Sequence, residues 1–406
     1  MTDDSSRAAR SQDALAEDAP GTDGPDVDGL GEDGIRRMRV AWRGATRVLS
    51  RTSAERRIGV RLADLAAHAG GVYDLDESVD MYGDGVVTEL ERRTARLLGM
   101  EDAAFFPTGT MAQQVALRCW AGRTGNSTVA LHPRSHAELH ERDALHEVSG
   151  LRTVHPTTGP RLPTADEVSR LGEPFGTLML ELPLREAGFV LPSWEELTEV
   201  VEAARERDAV VHFDGARLWE CAPHFGRPLE EIAALADSVY VSYYKSLDGI
   251  SGAALAGPRT LVDEARAWRH RYGGDVFHQF PAALSALLGM ERELPRLPQC
   301  VAHAKVVAQA LGEGFRAART PWSRVHPEVP HTHQFRVWLP YAAEVLTEAA
   351  VRQAEETGVA LFHRWFPCPE GPPGIAFCEV TVASQGLEWT AEDVVAAVAG
   401  FIGRIA

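Results

Sequence analysis

The chain has 406 residues, of which 45 % are apolar and 24 % charged, and a formal net charge of −17. That length holds two to three domains and a large core. The acidic balance argues against nucleic acid or an anionic membrane surface as a main partner, and no apolar run approaches membrane-spanning length.

Residues 1–34 carry much of the acidity and are rich in Gly, Ser, Ala and Pro. They lack the large apolar groups that offset the entropy of ordering, so this tail is predicted to be disordered. It has no basic start followed by an apolar core, the mark of a signal peptide. Within it GLGEDG, Gly29 to Gly34, matches GxGxxG letter for letter. It follows no strand, opens no convincing helix, and carries Glu32 and Asp33, which would repel a pyrophosphate. Residues 36–70 are basic and partly amphipathic. They read as a helical arm lying on the body or on a neighbouring subunit.

From Val72 a regular strand and helix alternation begins. Candidate strands are AAFF (103–106), STVALH (127–132), RTVHP (152–156), GTLMLEL (176–182), AVVHFD (209–214) and SVYVSYY (238–244). Several are continuous apolar runs, as expected of strands covered on both faces. Ser193 with Glu196 forms a capping box, and Leu197, Val200, Val201 and Ala204 make one apolar helix face behind it. Thr164 with Glu167 and Thr390 with Asp393 mark similar starts. The alternation predicts a mainly parallel α/β sheet with right-handed crossovers.

After residue 290 the texture changes to a long helical region, then HQFRVWLP, a helix, VALFHRWF, IAFCEVTV and a last helix, a small α+β domain. The predicted division is an acidic tail over 1–34, an arm and large domain over 35–295, and a small C-terminal domain over 296–406. The cysteines number five, irregularly spaced and without a CxxC. They read as reduced, mostly buried thiols in a cytoplasm. His132, His136, His140 and His146 crowd one stretch, and His136 and His140 would share a helix face. No HExxH is completed there, and no metal site is predicted.

The chemistry gathers at strand ends. AVVHFD ends in Asp214, and the next strand runs out into Lys245. Adjacent parallel strands bring both to one sheet edge, where open α/β sheets bind ligands. AAFF runs into PTGTMAQQVAL, which sets Thr108, Gly109 and Thr110 at a helix N-terminus, a phosphate seat. A phosphate seat, a carboxylate and a lysine on one edge point to pyridoxal 5′-phosphate (PLP). The lysine forms a Schiff base with its aldehyde, and the carboxylate keeps its ring nitrogen protonated. The loop after STVALHP can supply His136 to cover the ring.

YGDGVVTELE, FFPTGTMAQQVAL, HFDGARLWECAP and YKSLDGISGAALAG also resemble the threonine aldolase and β-eliminating lyase group of fold-type I PLP enzymes, over residues 81–297 and more faintly to the end. The resemblance implies a PLP-dependent transferase-like large domain with a mainly parallel seven-stranded sheet and a small C-terminal α+β domain. It implies Lys245 as the Schiff-base lysine, Asp214 as the ring-nitrogen partner, and His136 as the ring-stacking histidine. Thr108, Gly109 and Thr110 match the phosphate-binding segment. Arg217 of DGAR lies near the substrate carboxylate, and Tyr82 falls close to the site. Dimers or tetramers with the site at a subunit interface are implied as well.

The chain departs from that family where substrate is read. A histidine near the substrate hydroxyl becomes Leu184, a carboxylate-gripping arginine becomes Cys378, and GGGMRQ becomes GGDVFHQ. The expected activity is Cα–Cβ cleavage of a β-hydroxy-α-amino acid to glycine and an aldehyde. β-Elimination, racemisation and a non-catalytic binding subunit on the same fold stay open as alternatives.

Overall fold

The computed structural model describes residues 32–50, 57–368 and 371–405. The disorder expected over 1–34 lies almost wholly outside the described residues. Its last three residues, Glu32 to Gly34, open helix α1 (Glu32–Gly44), so GLGEDG does run into a helix. The arm is built into the body. Met38, Ala41 and Trp42 of α1 pack on Val351 and Ala354, and Arg37 bridges Glu348 and Glu355. Strand β1 (Arg47–Val48) follows, then α2 (Ile58–His68), tied to the large domain by Asp64 with Arg292.

The large domain is centred on strands β2 (Asp102–Phe106), β3 (Thr128–Ala130), β4 (Arg152–Val154), β5 (Thr177–Glu181), β6 (Val210–Gly215), β7 (Ser238–Ser242) and β8 (Ala253–Gly257). Their order is β2-β8-β7-β6-β5-β3-β4, a seven-stranded sheet. From β7 to β4 every pairing is parallel, while β8 runs antiparallel to both β2 and β7. The six strands expected from the sequence are all present. β8 was not expected, because four of the five residues of AALAG are alanine or glycine, with low strand propensity. The structure uses that smallness. Ala253 and Leu255 pack under Ala112 and Ala116 of the helix after β2.

Helices cover both faces. Along β2, Ala103 and Phe105 join one cluster and Ala104 and Phe106 the other, the period-two alternation of a sheet with two dry faces. On the first face lie α3 (Val86–Leu98), helix Trp194–Arg205 and helix Phe280–Glu293. On the second lie α4 (Gly109–Thr124) and helix Arg259–Arg271. The three capping boxes read from the sequence all form, at Ser193–Glu196, Thr164–Glu167 and Thr390–Asp393.

A long helix, Leu297–Ala317, leads into the small domain. There β9 (Arg324–His326), β10 (Gln334–Leu339), β12 (Phe366–Pro367) and β13 (Ala376–Thr381) form an antiparallel sheet in the order β12-β13-β10-β9. The expected strand VALFHRWF is instead two short pieces, β11 (Val359–Ala360) and β12. β11 leaves this sheet to pair with β1. Phe315, Phe335, Phe362, Trp365 and Phe401 fill the small domain's own core.

Candidate active site

β5, β6 and β7 end together on one edge. Asp214 stands in register with Glu181 on one side and Tyr240 on the other. Lys245 follows the end of β7 by three residues. Asp214 and Lys245 line a pocket of about 260 Å³ with Thr108, Gly109, Thr110 and His136. Six of the eight expected site residues therefore meet in one cavity.

The α4 end of this pocket is an anion seat in its local structure. Thr108 is the N-cap, extended at φ −135° and ψ 152°, with its hydroxyl accepting the Met111 N–H at 3.2 Å. The first N–H groups of a helix have no partner within it and carry its positive end. Gly109 keeps the approach open, because a Cβ there would run into the Tyr240 hydroxyl.

The other end is acidic and dry. Asp214 is 2 % exposed and Glu181 7 %. Burial pushes the Asp214 carboxyl above its ordinary range, against the pull of Lys245 and His136. Burial also raises Glu181, and the neighbouring Asp214 adds to the shift. Glu181 is held by two backbone donors, the N–H of His136 at 2.8 Å and that of Arg185 at 3.1 Å. It escaped the sequence reading because a single Glu ending an apolar strand carries no pattern of its own.

Gln113 carries no sequence signal of its own, though it lies inside PTGTMAQQVAL. Burial lowers the fully enclosed His212 to about 3, so its ring is neutral. Its Nε2 faces Gln113 Oε1 at 2.7 Å and its Nδ1 faces the Ser238 hydroxyl at 2.8 Å. With Nε2–H donating to Oε1, the Gln113 amide nitrogen is left on the pocket wall without a hydrogen-bond partner.

Behind Lys245 stands a second charged unit. Ser246 donates its hydroxyl to Glu220 at 2.7 Å, and His333 Nε2 lies 2.6 Å from the same carboxylate. The N–H of that ring is not aligned on the oxygen, so the contact is an ion pair before it is a hydrogen bond. The His333 Nδ1 faces the Val382 carbonyl at 3.1 Å, which accepts only, so Nδ1 must carry a proton. Burial alone would lower His333, but Glu220, helped by Cys300, outweighs it and raises the ring to about 10. Glu220 is held below its ordinary value by His333 against burial.

The raised imidazole contributes stability that is complete below its unfolded value of roughly 6.5 and is lost as pH rises through about 10. The lowered carboxyl contributes above its own unfolded value, so the pair supports the fold between mild acid and about pH 10. His333→Gln is expected to lower stability near pH 7 by about 3–5 kcal/mol, since it leaves a buried charge unpaired. It should also flatten the alkaline decline seen in a pH series of thermal melts. Equal alkaline slopes in both proteins would remove the pair as the cause.

Two expected site residues stand off the pocket wall. Arg217 stacks over Phe189 at 5.4 Å, and its buried Nε has no hydrogen-bond partner. Tyr82 is 59 % exposed with φ 56°, edge-on to Phe277 at 5.3 Å.

The two departures from the family pattern also find their place. Leu184 is wholly buried in the large-domain core, bridged to Val190, and is not among the residues that line the pocket. Cys378 points into the small-domain core. Its neighbour Glu379 faces the large domain, accepting from Arg185 at 3.1 Å and Arg336 at 2.8 Å. The signal for this cluster was available. A lone arginine inside the apolar strand HQFRVWLP implies a buried partner.

The beta-eliminating lyase family model matches residues 72–331. Low-specificity L-threonine aldolase 1 of Arabidopsis thaliana is 26 % identical over 302 residues, 71 % of this chain and 81 % of that protein. A solved structure from Exiguobacterium sp. 255-15, provisionally described as an aromatic amino acid beta-eliminating lyase/threonine aldolase, is 36 % identical. It covers 91 % of this chain and 99 % of its own, with a TM-score of 0.81. Another, from Listeria monocytogenes EGD-E and provisionally described as an L-allo-threonine aldolase, is 34 % identical. It covers 90 % of this chain and 99 % of its own, also with a TM-score of 0.81.

Proposed function

The chain belongs to the beta-eliminating lyase family, and from that premise we propose a PLP-dependent lyase that cleaves the Cα–Cβ bond of β-hydroxy-α-amino acids to glycine and an aldehyde. The observation that carries this reading is the meeting of Lys245, Asp214 and the α4 N-terminus in one pocket.

The residues present fit the cofactor. Two adjacent buried carboxylates, Asp214 and Glu181, call for a cation beyond Lys245, and a protonated ring nitrogen is one. The α4 N-terminus takes a phosphate, and the unpartnered Gln113 amide offers a donor to a cofactor oxygen. PLP, when bound, supplies an electron sink for bond cleavage at Cα.

In this reading Lys245 would hold the cofactor aldehyde and would also serve as a base. Asp214 keeps the proton on the ring nitrogen, in a bond worth roughly 1.5–3 kcal/mol. Thr108, Gly109 and Thr110 hold the phosphate, and His136 covers the ring. Arg217, with its unpaired Nε, takes the substrate carboxylate. The small domain is docked on the large one by Arg336 with Glu186 and by Glu379 with Arg185.

We also infer a homo-oligomer. Ile58, Val60 and Leu62 of α2 are exposed, as are Met81, Tyr82 and Phe277. Such exposed apolar residues suit a second copy, and Tyr82 would then serve the partner's pocket. A one-subunit mass by light scattering would sink this. Five free cysteines support a cytoplasmic setting. No helix among the described residues is long and apolar enough to cross a membrane. The domain division is proposed near residue 295, with α1 and β1 riding on the small domain.

The test is incubation of the purified holoenzyme with a panel of β-hydroxy amino acids. Equal amounts of glycine and aldehyde are expected. Ammonia with a keto acid would mean elimination instead, and no turnover would favour a binding subunit.

A further inference from the structure

Aldol cleavage needs a base at the β-hydroxyl, and Leu184 does not supply one. The fold offers a replacement. The short helix that begins at His136 places His140 one turn after it, and the two rings lie 5.3 Å apart. His136 is on the pocket wall, so His140 stands one ring behind that wall. Its Nε2 lies 3.2 Å from a Glu186 carboxylate oxygen.

Glu186 is itself fixed from two domains. Arg336 of β10 donates to it at 2.8 Å, and Arg185 approaches at 3.4 Å. These guanidiniums and the His140 contact hold the carboxyl well below its ordinary range, although burial opposes them. A charged carboxylate facing Nε2 fixes the tautomer with the proton on Nε2. The lone pair is then on Nδ1, which carries no hydrogen bond among the described residues. This is a base backed by an orienting carboxylate, the arrangement that activates hydroxyl groups elsewhere. His136 is less suited, because its Nδ1 faces Glu141 at 3.3 Å.

We propose that His140 is the catalytic base that takes the β-hydroxyl proton, with Glu186 as its positioning residue, and that Arg185 and Arg336 hold Glu186 for that purpose. The inference rests on the cleavage reading above. The proton leaves the hydroxyl for His140 Nδ1, and the O–H pair becomes the aldehyde π bond. The Cα–Cβ bond breaks and its electron pair stays with the glycyl carbon. One proton returned to that carbon completes glycine, so the proton count is unchanged.

The experiment compares wild type with His140→Phe, which keeps an aromatic ring but cannot take a proton, and with Glu186→Gln. Three readings are taken on each holoenzyme. These are cleavage kinetics, the visible absorbance and dissociation constant of PLP titrated into the apo form, and exchange of the glycine α-hydrogen with heavy water. That exchange needs no β-hydroxyl base. His140→Phe is expected to lose roughly 10²–10³-fold in kcat for cleavage, within the range for a general base. PLP affinity, absorbance and glycine exchange should stay within about twofold of wild type in that variant. Glu186→Gln should lower kcat with little change in KM. Cleavage by His140→Phe at the wild-type rate would overturn the inference, as would loss of glycine exchange in step with cleavage, which would mark general damage to the site. A wild type that exchanges glycine yet cleaves no β-hydroxy amino acid would overturn the cleavage reading itself and the inference with it.

Discussion

Lys245→Ala is expected to abolish turnover and to remove or shift the yellow band of the PLP-loaded protein. Loss of a positioned proton-transfer group alone lowers rates roughly 10²–10⁴-fold, and this substitution also removes the covalent anchor. A further effect acts through charge. Lys245 is the leading influence holding the Asp214 carboxyl down against burial. Without it Asp214 moves further toward its neutral form and pairs less well with a ring nitrogen. Lys245→Arg separates the two contributions, because it keeps a cation but cannot form the carbon–nitrogen bond. Equal loss in both variants means the bond is what matters. Partial recovery by arginine means the field does. A Lys245→Ala protein that keeps its colour and turnover would return Lys245 to an ordinary strand-end lysine.

The site could be read in advance where one short segment carries both the element and the chemistry. AVVHFD is a strand and ends in its own carboxylate, and PTGT is a loop that becomes a helix. Six pocket residues were legible for that reason. What stayed hidden depends on pairing between distant segments. Glu181 matters only because β5 and β6 align it with Asp214. Gln113 matters because β6 sets His212 against one end of its amide. Glu186 and Arg336 lie 150 residues apart in the chain. The alignment of Cys378 with a substrate arginine could not show that its side chain turns into a core. Strand phase decides that, and a one-residue slip exchanges the two faces. The fold behaved alike. Long apolar strands announced themselves, while β8, mostly alanine and glycine, is a strand because its neighbours need a thin one.

Asp214→Asn should separate stability from function. Asn has nearly the same shape and keeps an acceptor for the Ala216 N–H, which reaches Asp214 at 3.1 Å. In the apo protein the ionised carboxylate is a burden, being buried beside Glu181 and repelled by Glu141. A carboxyl raised on folding favours the fold fully only below its unfolded value. That contribution is lost as pH rises through the elevated one. Wild-type apo protein should therefore lose stability as pH rises above the ordinary carboxylate range, and Asp214→Asn should lose less and melt at an equal or higher temperature near pH 7. With PLP bound the order reverses. The ring cation offsets the carboxylate's burial, and an amide cannot match a charge-assisted hydrogen bond of roughly 1.5–3 kcal/mol. That difference corresponds to about a 10- to 100-fold weaker cofactor. Turnover should fall further, because a ring nitrogen that is not held protonated is a poorer electron sink. Paired melts of apo and loaded proteins, with a PLP titration of each, read every part of this. An Asn variant that binds PLP as tightly as wild type and turns over within tenfold of it would take Asp214 out of the mechanism. It would leave Glu181 as the carboxylate to test next.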